Sequence, residues 1–303
     1  MNYKFLVFEE EKGERLDIYL HNKLLDKRIS RSQIQKLIKN KKVLVDKTPQ
    51  VECHYKVKQR EEVVLLESVF SYPDLIKPEA LPLDIVYEDE KLIVVNKPAG
   101  MVVYPAAGNR SGTLLAGLLA HCQKLSTLHP QRPGIVHRLD KDTSGLLVAA
   151  KDSQTHQNLA AQFKNRKVLR KYIILVKGVV RFDEGVIEQP IGRDPKNRQK
   201  MAVVASGREA ITFYKVIQRY SAHTLLELDL KTGRTHQIRV HFAYLGYPVA
   251  GDKTYGGRAK DMLISRQAVH STELGFYHPE NKEFVKFSSP LPEDMEKAIR
   301  KIR

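Results

Sequence analysis

Cysteine is scarce: Cys53 and Cys122 stand in no paired or metal-ligand spacing. That excludes a disulfide scaffold and suits a reducing cytosol, so a cytoplasmic location is expected. No apolar run approaches the roughly 18 residues of a membrane span, so neither a span nor a signal peptide is expected. There is no Gly-rich phosphate cradle and no dinucleotide fingerprint, so neither a redox cofactor nor ATP is implied. His236 and His241 lie five apart rather than the four of a zinc helix, with no Glu between them, and no metal is expected there. Acids are in deficit. Asp plus Glu number 35 against 51 Lys plus Arg, for a net charge of +16. Such a balance favours polyanionic partners, nucleic acid before an anionic membrane. With 42% hydrophobic and 28% charged residues among 303, the chain is a folded soluble protein, long enough for a large domain and a small one.

The N-terminal stretch Tyr3–Phe8 reads as an edge strand or a loose terminus, followed by a helical start at Arg15–Leu20. Ser30 is placed to cap a helix through Asn40, with Ile34, Leu37 and Ile38 on its apolar face and Asn40 closing it left-handed. Strands are expected near Val43–Val45 and Val63–Leu66. Between Lys23 and Lys42 the bases Lys23, Lys27, Arg28, Arg31, Lys36, Lys39, Lys41 and Lys42 face the single acid Asp26. A run of one sign is either a solvated helix face or a polyanion surface, because it has no partners for a salt-bridge lattice. A Pro-rich, aperiodic stretch over 71–82 reads as a linker. It separates a domain over 1–70 from a larger one over 83–303.

In the larger domain, Leu83–Gly100 reads as two strands joined by an acidic turn and ended at Asn96-Lys97-Pro98-Ala99-Gly100, a corner that shapes the sheet. A short helix is expected at Leu114–Leu119 and another after Ser153 as its cap. A basic stretch with Lys164, Arg166, Lys167, Arg170 and Lys171 leads into the strand Tyr172–Gly178. Residues 191–201, with Arg193, Lys196, Arg198 and Lys200, read as a loop whose cations suit backbone phosphates. A strand at Thr224–Leu230 and a helix from Thr235 to Leu245, closed by Gly246, complete the pattern before a C-terminal strand at Glu283–Phe287. Strands with helices at irregular intervals indicate an α+β class rather than a βαβ repeat.

At the centre lies His137-Arg138-Leu139-Asp140-Lys141-Asp142-Thr143-Ser144-Gly145, between the apolar runs Gly134–Val136 and Leu146–Ala150. It reads as a charged turn between two strands. Asp140 is thereby held at the mouth of a sheet with cations on both sides, and nearby cations favour the ionised form of a carboxylate. By local pattern alone, a hairpin turn with solvated charges is the commoner meaning.

The stretch His137–Leu146 resembles the signature of the RluA/RluD family of pseudouridine synthases, which isomerise uridine in RNA. Asn96–Gly100, Arg170-Lys171-Tyr172 and Thr232–Arg239 resemble its other blocks, in order, over roughly residues 80 to 290. The segment from about 13 to 65 resembles the alpha-L RNA-binding domain of the ribosomal protein S-four type. The resemblance implies the pseudouridine-synthase fold, a mixed and largely antiparallel central sheet with flanking helices, beside that small domain. It implies Asp140 as catalytic carboxylate, acting as nucleophile at C1′ or as base at C2′. Tyr172 would stack on the uracil and assist proton transfer at C5, and Arg239 would ion-pair with Asp140. Arg138 would fill the gap left by the flipped base. His137, Arg138, Arg31, Lys36, Lys39, Lys41, Lys42, Arg170, Lys171, Arg198 and Lys200 form the expected RNA-binding set. The expected partner is RNA, structured 23S ribosomal RNA first and transfer RNA second, with no membrane and no obligate protein partner. Two other readings use the same residues. One is a silent RNA-binding or ribosome-assembly protein, and the other a metal-dependent RNA hydrolase built on His137, Asp140 and the later histidines.

Overall fold

The computed structural model describes residues 3–24, 31–66, 76–106, 108–129, 132–256 and 263–303. It divides into two compact units, Met1–Leu75 and Ile76–Arg303. The first comprises β1 (Tyr3–Leu6), α1 (Leu16–Lys23), α2 (Arg31–Lys39), β2 (Val43–Val45), β3 (Thr48–Pro49) and β4 (Glu62–Leu65). Its sheet runs β1-β4-β2-β3. Ile34 and Ile38, four apart and so on one face of α2, pack with Leu16, Leu20, Val43 and Val63 into one core. The expected cap Ser30, with Lys27 and Arg28, lies outside the described residues. The left-handed residue after α2 is Lys41 at φ 59 rather than Asn40.

The basic run also contains a pairing that composition hides. Asp17 on α1 is fully buried, and a buried carboxylate needs partners to offset its lost hydration. It accepts hydrogen bonds from Arg15, Arg31 and Gln35. Arg31 is therefore tied inward, while Lys36, Lys39, Lys41 and Lys42 stay exposed with no ion pair among the described residues.

In the second unit, residues 76–82 of the stretch expected as a linker are packed against the domain, and 71–75 lie outside the described residues. Ile76 and Leu83 pack against the core under the next helix, and Glu79 N–H donates to Ala116. The chain then forms β5 (Ile85–Glu88), β6 (Leu92–Lys97), α3 (Leu114–His121), β7 (Ser144–Ala150), α4 (Ser153–Lys164) and β8 (Leu169–Lys177). Next come β9 (Glu184–Glu188), β10 (Ile191–Arg193), β11 (Met201–Val203), β12 (Ile211–Arg219), β13 (His223–Leu230) and α5 (Gln237–Tyr244). The unit ends with β14 (Val269–Tyr277), β15 (Phe284–Ser288) and α6 (Glu293–Lys301).

The large sheet runs β5-β6-β7-β14-β8-β13-β12-β9, with β15 on β14. Its pairs are antiparallel except β7 with β14, so the class is α+β with a mixed, mostly antiparallel sheet. Every residue of β7 is buried, which is why its sequence is a continuous apolar run rather than an alternation. Leu147 and Ala149 face α3, while Leu146, Val148 and Ala150 face Leu159 of α4 and Phe276. Each such Leu or Val, fully buried, contributes about 1.5–3 kcal/mol. The helices α5 and α6 cover β8 and β13 through Ile238, Phe242, Met295 and Ile299.

Several local expectations shift. Gly134–Val136 is not a strand but a single bridge, Ile135 to Ala149. The cap of α4 is Asp152, whose carboxylate accepts from Thr155 N–H, and Ser153 is the first helical residue. Residues 191–201 are not a plain loop, because β10 and β11 pair as a hairpin. The helix expected from Thr235 starts at Gln237. Gly145 is a strand residue rather than a turn residue: a Cβ there would lie 2.3 Å from the carbonyl oxygen of Ser271, so only glycine lets β14 close in parallel on β7.

Candidate active site

The segment 137–143 enters β7 from the edge of a pocket of about 80 Å³, and it is fixed by long-range contacts. Lys97, buried at the end of β6, donates its ammonium to the carbonyls of Pro98, Met101 and Lys141 at 2.7, 2.8 and 3.0 Å. Burial pushes its pKa down to about 7. An uncharged amine has only two N–H groups, so three acceptors fit the ammonium. Arg266 Nη1 holds the carbonyl of Asp142, and Gln267 reaches the Thr143 hydroxyl. The corner at residues 96–100, together with Arg266 and Gln267, thus braces the backbone immediately after Asp140.

Asp140 stands in the pocket with its side chain 18% exposed. Arg239, carried 99 residues later on α5, donates Nη1 to Asp140 Oδ2 at 3.0 Å. The rest of that guanidinium belongs to Asp252: Nε to Oδ2 at 2.6 Å and Nη2 to Oδ1 at 3.0 Å, a bidentate fork. Asp252 Oδ1 also accepts the N–H groups of Thr254 and Tyr255. Burial opposes charge on both residues, yet the fork wins: Arg239 is raised and Asp252 lowered from their ordinary values. The result is a fixed line of carboxylate, guanidinium, carboxylate, of which Asp140 and Arg239 line the pocket and Asp252 lies behind.

Tyr172 and Arg170 alternate on the buried face of β8 and line the same pocket. Burial raises the Tyr172 phenol, against the opposing charge of Arg170 and a hydrogen bond to Ser271. It therefore stays a protonated donor. At the rim, Arg138 is exposed, its Nη1 on the Tyr104 hydroxyl at 2.7 Å and its guanidinium 5.1 Å from that ring's centre. The pocket offers an oriented carboxylate, an aromatic wall and a planar cation at its mouth, which suit the chemistry of a base and its sugar.

The RNA pseudouridylate synthase family matches residues 91–244. The chain belongs to this family. It is 46% identical to the uncharacterized RNA pseudouridine synthase YlyB of Bacillus subtilis (strain 168), over 97% of this chain and 96% of that one. It is 47% identical to ribosomal large subunit pseudouridine synthase D of Neisseria meningitidis serogroup A, over 93% of this chain and 77% of the relative. Among solved structures, human RNA pseudouridylate synthase domain containing 1 superposes with a TM-score of 0.56 at 27% identity, covering 70% of this chain and 84% of that one. This protein is an RNA pseudouridine synthase, an isomerase.

Within the synthase, Asp140, Tyr172, Arg239, Arg138 and Arg170 converge on one pocket. Other expected contacts are rearranged. His137 also lines the pocket, but its Nε2 accepts the Val148 N–H at 3.0 Å and its ring stacks on Phe163. Burial and Arg170 push it down to about 3, so it is a neutral brace rather than a cation for phosphate. Arg170 is buried, giving Nη2 to the Leu230 carbonyl at 2.8 Å, and belongs to the pocket wall, not to an outer phosphate surface. Lys171 points to the opposite face of β8 and pairs with Glu227. Lys200 donates to the Thr254 carbonyl, while Arg198 is exposed at the tip between β10 and β11. His241 has both ring nitrogens engaged, by Thr212 and by the Gln189 carbonyl, so it has no lone pair for an ion. No His/Cys/Asp/Glu group among the described residues is arranged to hold a metal.

By sequence alone, Asp252 and Lys97 have only structural parts. The available signal was an acid in the loop Gly251–Gly256 just after the helix of Arg239, and a lysine ending an apolar strand. Neither signal names its partner. No helix among the described residues is long and apolar enough to cross a membrane.

Proposed function

We propose that this synthase isomerises specific uridines in 23S ribosomal RNA, with Asp140 as its catalytic carboxylate. The observation that carries the proposal is the Asp140–Arg239–Asp252 line opening into the pocket that Tyr172 walls. The relatives named ribosomal large subunit pseudouridine synthase D favour the large-subunit RNA over transfer RNA. The reaction breaks N1–C1′, turns the base and joins C5 to C1′. The hydrogen lost from C5 is matched by one gained at N1, so no external oxidant or energy source is consumed. Asp140 attacks C1′ as nucleophile or removes the C2′ proton as base, and in both roles Arg239 orients it. Tyr172 stacks on the uracil and takes part in the proton transfer at C5. The uridine leaves its stack to enter, at a cost of a few kcal/mol, and Arg138 at the rim fills the vacancy. The first unit, with Lys36, Lys39, Lys41 and Lys42 exposed around α2, supplies phosphate contacts in the manner of an alpha-L domain.

Large-subunit RNA transcribed with tritium at uridine C5 tests this, because forming C5–C1′ releases that tritium to water. The wild type should release it at a few mappable positions. Asp140→Asn keeps the size and removes the charge, and should lose release while retaining fold and RNA affinity. Tyr172→Phe should bind normally and stall after the glycosidic bond breaks. Release by a cleanly purified Asp140→Asn protein, with or without added metal, would refute Asp140 as the acting group. Cleaved RNA or unmodified RNA from the wild type would favour the hydrolase or the silent binder.

A further inference from the structure

His236 is used by nothing above, yet it stands at the pocket in a backbone conformation that histidine rarely adopts. Its φ of 56 and ψ of 22 are left-handed, at the entry to α5. Non-glycine residues held there cost of order 1–3 kcal/mol, and such strain concentrates where a side chain must be aimed. The aim is visible. Nε2 lies 4.0 Å from Asp140 Oδ2, with the imidazole 25% exposed to the pocket.

The proton on that ring can be placed. Tyr255 Oη accepts the Met201 N–H at 3.0 Å and lies 2.9 Å from His236 Nδ1. Among the described residues Nδ1 is the one acceptor within reach of the phenol's own hydrogen, and satisfying that donor assigns Nδ1 as acceptor and leaves the ring hydrogen on Nε2. Burial lowers the His236 pKa, with Asp140 opposing, so the ring is neutral and donates through Nε2. The pocket thus presents a donor and a carboxylate acceptor 4.0 Å apart. That gap is too long for a direct bond and wide enough for one oxygen within hydrogen-bond reach of both.

The group that fits must accept from one side and donate to the other. A carbonyl cannot donate, an amide N–H cannot accept, and a phosphate oxygen would be repelled by Asp140. A hydroxyl does both. Inside an RNA strand the 3′ oxygen is esterified, so the ribose hydroxyl available is the 2′-OH, the group that separates RNA from DNA. We infer that His236 is a specificity-determining residue that donates Nε2–H to the 2′-hydroxyl of the target uridine, which in turn donates to Asp140. This rests on the reading of Asp140 as the carboxylate that acts at C1′ or C2′.

The test uses the full-length protein and an RNA oligonucleotide carrying a uridine that the wild type converts, alongside the same strand with 2′-deoxyuridine at that one position. Dissociation constants are read by rapid mixing before turnover, for the wild type, His236→Gly and His236→Asn. Glycine accepts φ near 56 without strain, so its variant folds. Asparagine tolerates the left-handed region and keeps an N–H donor. The wild type should favour the ribose strand by well over tenfold, because the 2′-OH makes two hydrogen bonds and one of them is to a carboxylate. That ratio should fall about three- to tenfold in His236→Gly, the worth of the one bond removed while the bond to Asp140 stays, and recover in part in His236→Asn. An unchanged ratio in His236→Gly assigns the 2′-OH to another group, and a ratio of one in the wild type leaves a bridging water in the gap. Either result overturns the inference while the synthase reading stands. A wild type that forms no pseudouridine in any RNA fails at the earlier step, and this inference with it.

Discussion

Asp252→Asn tests whether Arg239 is oriented from behind. The substitution is nearly isosteric, and Oδ1 still accepts from Thr254, Tyr255 and Arg239 Nη2. What changes is Oδ2, which becomes an NH₂ facing Arg239 Nε across a contact that was 2.6 Å, donor against donor. The Asp252 side chain is 0% exposed and that of Arg239 8%, so water cannot replace the missing acceptor. Removing one member of a buried pair costs about 3–5 kcal/mol. Because Asp140 still partners the guanidinium, the lower end applies, about 3 kcal/mol. The freed Arg239 then rotates toward Asp140, and a misplacement on the order of 1 Å costs about a hundredfold in rate. Urea unfolding should show the stability loss, and single-turnover tritium release should show the rate loss with RNA affinity nearly unchanged. A variant within about 0.5 kcal/mol of wild type, turning over at the wild-type rate, would mean that Asp252 does not hold the catalytic line; surface-like substitutions behave that way.

Arg138→Ala should slow conversion of duplex-embedded uridines about tenfold or more, since a few kcal/mol of unstacking goes uncompensated. A flexible single-stranded uridine should lose little, and equal losses on both would make Arg138 a brace for the loop instead. Replacing Lys36, Lys39, Lys41 and Lys42 together by alanine should flatten the salt dependence of RNA binding, by up to about 0.9 in log–log slope for each phosphate those lysines neutralise; an unaltered slope would place the RNA elsewhere. Burial, joined by His129 and Arg132 at His156, pushes His156 and His270 down to about 4 from an ordinary 6.5. The unfolded chain therefore takes up protons first as the pH falls, so stability is full above about 6.5 and is lost between there and 4. Each should cost roughly 2 kcal/mol at pH 5, and a urea midpoint unchanged between pH 7 and pH 5 would contradict their burial as neutral rings.

The sequence by itself determined the local pieces, because those are set by near neighbours. The apolar run 146–150 reads as a buried strand, the acidic turn after β5 as a turn, and Ile34, Leu37 and Ile38 as one face of a helix; the structure has β7 buried throughout, Asp89 accepting from Lys91 and Leu92 in that turn, and Ile34 and Ile38 in the core. The order of the four motif blocks carried the family. The helix ends were less legible, since a left-handed residue one place along, Lys41 for Asn40, changes no periodicity. What only the tertiary structure decided is who meets whom. Lys97 reaches Lys141 over 44 residues, a partner that no spacing writes, whereas the pairing of Arg239 with Asp140 over 99 residues was implied by the family resemblance and its tether to Asp252 only by the fold. Arg31 reads as one more exposed base until Asp17 is seen buried beneath it. Arg170 and Lys171 are both cations in a basic stretch, yet the pleat of β8 sends one into the pocket wall and the other to Glu227 on the far face. Composition fixes how many charges a chain carries, whereas the fold decides which of them are desolvated, and a desolvated charge must find its partner wherever the chain has brought one.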